Sequence, residues 1–286
     1  MSQVWLISGS GAGLGRDIAE AALTAGHRVV ATARRVETLE ALRTRFPDTL
    51  KVTSLDVADE AACVDAVRFT LDAFGQLDVL VNNAGYGQLV PFEQMSSADY
   101  RAQIETNLFG VVNLTRAAVR PMRERRSGRV INVSSVGGRI GTPGMSAYQA
   151  AKWAVGGLSE VLATELGALG VHVTAIEPGG MRTDWARRAG ADLPSFLPDY
   201  EGSVGALRNM LSGYVGNETG DPVRVAEVVL RLAAHPRPPV RLLLGSDAAT
   251  FAGQVEQARR DTDQRWAEVS RSTDIGAGAM PAFPAY

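Results

Sequence analysis

Tyr148 and Lys152 stand four residues apart in the run Tyr148-Gln149-Ala150-Ala151-Lys152. On a helix that spacing puts both side chains on one face. A free phenol has a pKa of about 10, too high for ready proton exchange at neutral pH. A neighbouring ammonium favours the phenolate and lowers that value. The pair is therefore expected to serve as general acid in reducing a ketone and as general base in oxidising an alcohol. Only Lys51 and Lys152 are lysines among the 29 basic residues. In so arginine-rich a chain, a lysine at this spacing points to a compact ammonium that hydrogen-bonds a ribose hydroxyl, which a guanidinium does not replace. Upstream, Ile131-Asn132-Val133-Ser134-Ser135 closes an apolar run that reads as a buried strand. Ser135, at its carboxyl end, is placed to hydrogen-bond a substrate oxygen. Ser134 is expected to cap the turn.

A second constellation lies near the N-terminus, in Ser8-Gly9-Ser10-Gly11-Ala12-Gly13-Leu14-Gly15 between a strand and a helix. Glycines there permit a tight turn and close approach of the backbone to a pyrophosphate, which the helix N-terminus then attracts. Gly9, Ser10, Gly13, Leu14 and Gly15 are the expected contacts. The next strand ends in Ala31-Thr32-Ala33-Arg34-Arg35, with no carboxylate before Glu37. A site for NAD would place an acidic residue there to bind the ribose 2′-hydroxyl. Arginine instead offers a planar fork for a 2′-phosphate. The expected cofactor is NADP(H), with Arg34 as main contact and Arg35 as a second.

These groups need a scaffold with strand ends gathered on one edge. Gln3–Ser8, Arg28–Ala33, Leu50–Leu55, Asp78–Asn82, Arg129–Val133, Val171–Ile176 and Val240–Leu244 read as strands, several apolar on both faces. That is the pattern of a parallel sheet covered on both sides. Leu14–Ala25, Val36–Arg45, Glu60–Phe74, Ser96–Arg125, Ala147–Leu169 and Pro222–Ala234 carry helical periodicity. The alternation predicts an α/β fold, a doubly wound Rossmann-type three-layer sandwich with about seven parallel strands. One catalytic domain is expected over 1–246, with a helical extension and an irregular tail over 247–286. Asp184–Gly220 interrupts the rhythm and is long enough for a substrate lid.

The ordered set of motifs resembles the short-chain dehydrogenase/reductase superfamily, in its compact branch, over about Val4 to Leu244. Its bearers are Gly9, Gly13 and Gly15, Asp56-Val57, Asn82-Asn83-Ala84-Gly85, Asn107, Ser135, Tyr148 with Lys152, and Pro178-Gly179 with Thr183. Ser8 departs from the family, which usually has threonine before the first glycine; the hydroxyl survives. The resemblance implies a catalytic tetrad of Asn107, Ser135, Tyr148 and Lys152, with Asn107 holding a water that links Lys152 to solvent. It implies that Asp56 binds the adenine amino group beside Val57, and that Asn83 shapes the turn near the ribose, with Ala84 and Gly85 alongside. Pro178, Gly179 and Thr183 would lie against the nicotinamide, Thr183 at its carboxamide. It also implies a homodimer or homotetramer through the helices bearing Asn107 and Tyr148.

The lid carries Trp185, Leu193, Phe196, Leu197, Tyr200, Met210 and Tyr214. An apolar wall with few polar anchors suits a small-molecule site. Ser135, Val136, Tyr148, Trp185, Phe196 and Tyr200 form the expected pocket for an apolar ketone, aldehyde or secondary alcohol, with Tyr86, Gly137 and Gln149 as weaker candidates. A reductase of 3-oxoacyl thioesters on an acidic carrier is the alternative, using Arg123–Arg129 and Arg187-Arg188 as a basic patch. A sensor that binds NADP(H) without turnover is the other, and an intact acid/base set argues against it.

Composition excludes other classes. A net charge of −2 gives no reason to expect nucleic acid or an anionic membrane as partner. The single cysteine, Cys63, allows no intrachain disulfide, and the three histidines are far apart in sequence, so no metal site is expected. No apolar run approaches roughly 18 residues, and the N-terminus enters a strand at once. A cytoplasmic location is expected.

Overall fold

A computed structural model describes residues 2–183, 185, 189 and 195–285. The chain runs β1 (Val4–Ile7), α1 (Gly13–Thr24), β2 (Arg28–Ala33), α2 (Glu40–Arg45), β3 (Leu50–Ser54), α3 (Glu60–Phe74) and β4 (Val79–Asn82). It continues through α4 (Ser97–Ile104), α5 (Gly110–Glu124), β5 (Gly128–Val133), α6 (Ser146–Gly167) and β6 (Val171–Pro178). The last elements are α7 (Ala206–Tyr214), α8 (Pro222–Ala234), β7 (Arg241–Leu244) and α9 (Ser246–Arg271).

All seven strands are parallel, in the order β3-β2-β1-β4-β5-β6-β7. Both faces are covered, which is why the strands read as continuous apolar runs. Trp5, Ile7, Val29, Val79, Val81 and Ile131 pack towards Ile18 and Ala22 of α1 and Val229 of α8. Leu6, Val30, Leu80 and Val130 point the other way, to Val67 of α3, Leu114 of α5 and Leu166 of α6. The period of two thus divides one strand between two cores. Local signals set the helix ends. Asp59 accepts from the Ala62 N–H at the start of α3, and Gly75, at φ 77°, ends that helix in the left-handed region. Asp221 caps α8 directly before Pro222.

Strand order reverses direction between β1 and β4, and the carboxyl ends of the strands open a crevice there. The glycine turn after β1, the Asn83 turn after β4 and the Ser135 turn after β5 all lie on this edge.

Three expectations change. The single helix expected over Ser96–Arg125 is α4 and α5 joined by one wide π turn, Glu105–Phe109. The helix expected over Val36–Arg45 opens as a tight 3₁₀ turn, Val36–Leu39. The described part of 184–220 is not one long loop: α7 and two short turns occupy Pro198–Tyr214.

Candidate active site

Tyr148 and Lys152 lie on the first turns of α6 and are both buried. The Lys152 ammonium is 5.6 Å from the centre of the Tyr148 ring and donates to the Val133 carbonyl at 2.7 Å. Ser135 leaves β5 in extended backbone beside Tyr148 and accepts from the Gly137 N–H at 3.0 Å. Ser134 ties the end of β5 to α6 by donating to the Lys152 carbonyl at 3.1 Å. One strand end and one helix start therefore bring Ser135, Tyr148 and Lys152 together.

The electrostatics differ from the expectation. Burial pushes the Tyr148 phenol up to about 12, with the neighbouring Ser135 hydroxyl opposing it. Burial likewise brings Lys152 down to about 8. The expected lowering of the phenol by its neighbour fails because desolvation disfavours both charged forms and the ammonium is engaged with a carbonyl.

Asn107 sits in the π turn and is fully buried. Its Nδ2 donates to the carbonyls of Tyr86 (2.8 Å) and Gln103 (2.9 Å), and its Oδ1 accepts from the Tyr86 N–H at 3.2 Å. The wide turn aims this amide at the loop after β4, in keeping with π turns gathering at functional places. A Cβ added to Gly85 would lie 2.6 Å from Asn107 Oδ1 and 3.6 Å from Lys152 Nζ. Both groups thus border one gap, which only glycine leaves open.

The glycine turn has the shape of a phosphate cradle. Gly9 and Gly13 have φ of 67° and 58°, values that L side chains adopt rarely. No side chain caps α1 at Ala12, so its first N–H groups keep their donors. Asn83 Nδ2 donates to the carbonyls of Ser8 (3.0 Å) and Gly9 (3.1 Å), holding the turn from β4. The Ser8 hydroxyl accepts from the N–H groups of Asn83 and Ala84 at 3.0 and 3.1 Å. That contact needs a hydroxyl, which is why serine suffices there. Ser10 turns inward, donating to the Ile7 carbonyl at 2.9 Å, and Leu14 is buried, so only their backbones face the cradle.

Arg34 and Arg35 project into solvent past β2, without an ion-pair partner among the described residues. Asp56 follows β3, exposed, its Oδ1 accepting from the Ala58 N–H, while Val57 is buried under Gly110. On the far side, Gly179 and Thr183 follow β6, and the Thr183 side chain lies closest to Gly13. The uncapped start of α1, the two glycines at positive φ and the nearness of the Thr183 side chain to Gly13 fit a nicotinamide dinucleotide.

Trp185 packs on Tyr148 with ring centres 5.1 Å apart, and Gly87 leaves room for both rings. Leu89, Met145, Phe196 and Val204 complete an apolar cluster around the phenol. Tyr200 borders it and donates to Glu93 at 2.7 Å. Val136 begins the turn after Ser135, and Gln149 bonds Thr142 rather than the cluster. Leu193, Arg187 and Arg188 lie outside the described residues.

Sequence reasoning missed several supports. Asn82 Nδ2 donates to Thr115 and to Asn132, and Asn132 donates to Ser159, all between 2.8 and 2.9 Å. This buried ladder joins β4, β5, α5 and α6 beneath the site. Fully buried Glu177 accepts from Arg139 Nε (2.7 Å) and Arg241 Nε (2.8 Å), so two guanidinium groups compensate its charge. In sequence, each reads as an ordinary polar residue at a strand end.

The sequence profile of the short chain dehydrogenases matches residues 3–194. Oxidoreductase BOA17 of Botryotinia fuckeliana is 43% identical over 271 residues, covering 94% of this chain and 98% of that protein. A short-chain dehydrogenase from Streptomyces avermitilis superposes with a TM-score of 0.89 at 39% identity, over 96% of this chain and 100% of its own. A serine dehydrogenase solved with NADP+ superposes with a TM-score of 0.73 at 30% identity, over 85% of this chain and 94% of its own. The chain belongs to the short-chain dehydrogenase family, with the Rossmann-type fold of its relatives. It is an oxidoreductase acting between CH–OH and C=O groups with a nicotinamide cofactor. No helix among the described residues is long and apolar enough to cross a membrane.

Proposed function

We propose that this protein is an NADP(H)-dependent reductase of small apolar ketones or aldehydes, working in reverse as an alcohol dehydrogenase. The observation that carries the reading is the convergence of Ser135, Tyr148 and Lys152 inside an apolar cluster, at the same sheet edge as the glycine turn. When bound, the nicotinamide supplies or accepts the hydride. In reduction Tyr148 gives its proton to the carbonyl oxygen, and in oxidation it takes that proton back. Ser135 donates a hydrogen bond to the same oxygen and fixes it near the phenol. An acid near 12 releases protons slowly at neutral pH. The Lys152 ammonium, 5.6 Å from the ring centre, does not lower that value in the resting site but would stabilise the negative charge that forms on the oxygen as the proton leaves. Trp185 and Phe196 keep water from the reacting oxygen. The same reading gives Asn107 the water link to Lys152, and Asp56 with Val57 the adenine. It takes the protein as cytoplasmic and as a homodimer or homotetramer; exposed Phe109 and Val161, on the helices of the Asn107 and Tyr148 faces, support a subunit contact.

The test is oxidation of NADPH and NADH against ketones, aldehydes, quinones, steroids and an acyl thioester, followed at the nicotinamide absorbance. Turnover of apolar ketones with NADPH is expected. Turnover confined to the thioester would favour a carrier-bound substrate, and tight NADPH binding without any turnover would favour a sensor.

The cofactor preference rests on Arg34, with the NADP+ complex of the serine dehydrogenase as support. A charge-assisted hydrogen bond is worth about 1.5–3 kcal/mol. Arg34→Ala is therefore expected to raise the KM for NADPH roughly 10- to 100-fold while that for NADH stays within about twofold. Equal losses for both cofactors would place the 2′-phosphate elsewhere.

The apolar wall rests on Trp185. Removing its ring from Tyr148 forfeits about 0.5–1.5 kcal/mol of aromatic contact besides the covered area. Trp185→Ala is expected to change the kcat/KM ratio of a bulky to a small ketone by about tenfold. An unchanged ratio across the panel would assign Trp185 to packing alone.

A further inference from the structure

We propose that the C-terminal helix α9 is a positioning element of the active site, holding the cofactor turn after β6 through Asp247 and the loop after Ser135 through Glu256. The inference rests on the reading above, in which the segment from Pro178 to Thr183 faces the nicotinamide.

The first tie lies where β7 passes into α9. The Gly179 N–H donates to the Leu244 carbonyl at 2.9 Å, and the Gly180 N–H donates to Asp247 Oδ2 at 2.8 Å. A Cβ added to Gly179 would lie 2.3 Å from both Asp247 oxygens, so glycine is what admits the carboxylate against this turn. Asp247 Oδ1 is buried without a hydrogen-bond partner among the described residues. Asp247 stands in the first turn of α9, where the helix dipole favours a negative charge. The carboxylate is thereby held at one end by its helix and at the other by the backbone that carries Thr183.

The second tie is made nine residues further along the helix. Arg139, four residues after Ser135, donates through Nη1 to Glu256 Oε1 at 2.6 Å. Its carbonyl accepts from Arg259 Nη2 at 2.8 Å, and the Arg259 guanidinium lies 4.5 Å over the Trp153 ring of α6. Two loops that the mechanism uses are thus gripped by one helix.

The helix contributes little else to the core. Of its 26 residues only Ala248 and Ala252 are buried. A helix joined mainly by polar ties to two active-site loops acts on the geometry of those loops more than on the stability of the whole chain.

The experiment compares Asp247→Ala and Asp247→Asn with the wild type. Asn keeps an oxygen to accept the Gly180 N–H, and Ala does not. In the cofactor-free protein, amide hydrogen exchange over residues 179–183 is expected to speed up at least tenfold in Asp247→Ala. It should stay near wild type in Asp247→Asn, with β1 and β4 unchanged in both. With NADPH, Asp247→Ala is expected to raise the dissociation constant about tenfold, and Asp247→Asn to restore it. Glu256→Gln should speed exchange over residues 136–142 and leave 179–183 alone. Wild-type exchange over 179–183 in Asp247→Ala would overturn the proposal, as would a loss of protection spread over the whole sheet. A wild-type chain without affinity for NADPH would overturn the cofactor reading separately, because the exchange experiment is run without it.

Discussion

Tyr148→Phe is expected to lower kcat for carbonyl reduction by about 10²–10⁴-fold, the range spanned by general acid catalysis. The substitution removes one oxygen and leaves the ring. Phe would keep the contacts with Trp185, Leu89, Met145 and Val204, so the apolar cluster around it remains filled. The Ser135 hydroxyl keeps the Gly137 N–H as its donor. Thermal stability is therefore expected to move little, and the dissociation constant for NADPH to stay within about twofold, since neither the glycine turn nor Arg34 touches the phenol. Steady-state turnover and fluorescence titration of the cofactor, run on one preparation, check both halves. Turnover within tenfold of wild type would mean that the proton comes from another group.

Lys152→Met is expected to cost about 10²-fold or more in kcat/KM, because it takes away the charge that assists the phenol. The wild-type pH profile should show the same group. Burial lowers Lys152 to about 8, so kcat/KM for reduction should fall as pH rises past that value, towards tenfold per unit. Folding stability responds with the opposite sense. In the unfolded chain the amine returns to its ordinary value of 10.5. Between about 8 and 10.5 the unfolded state binds more protons than the folded one, so stability from this group rises with pH through that window. Cys63, raised from 9.0 to about 12, and Tyr148, raised from 10 to about 12, lower stability as pH climbs above 9 and 10 respectively, which leaves 8 to 9 for reading the lysine. Denaturant midpoints across that interval should rise in the wild type and flatten in Lys152→Met. A flat wild-type curve would mean that Lys152 keeps its charge at ordinary cost.

The parts visible in sequence were those with local causes. Strand periodicity, the glycine turn, and the spacing of Tyr148 and Lys152 depend on neighbours within one element, and the structure has all three. What escaped depends on elements distant in sequence. The desolvation of Tyr148 comes from Trp185, Phe196 and Leu89 as well as its own helix. That sum outweighed the single nearby charge on which the expected lowering was based. Asp247 reads in sequence as an ordinary acidic residue in a helix's first turn; its grip on Gly180, 67 positions away, exists only in three dimensions. The Asn82–Asn132 ladder depends on the register of β4 against β5. The π turn escaped for another reason: Glu105-Thr106-Asn107-Leu108-Phe109 contains no proline or glycine to announce a break.

That wide turn also separates two reading frames. Each added residue rotates a helix by about 100°, so the extra residue in Glu105–Phe109 puts α4 and α5 out of phase. α4 leans on α6, which bears the phenol, whereas α5 leans on α3. A single apolar stripe drawn from Ser96 to Arg125 would have to serve both neighbours and would suit neither. With the phase broken at Asn107, substitutions on α5 can retune its seat against α3 without turning α4, so the two ends of this chain segment are free to evolve separately.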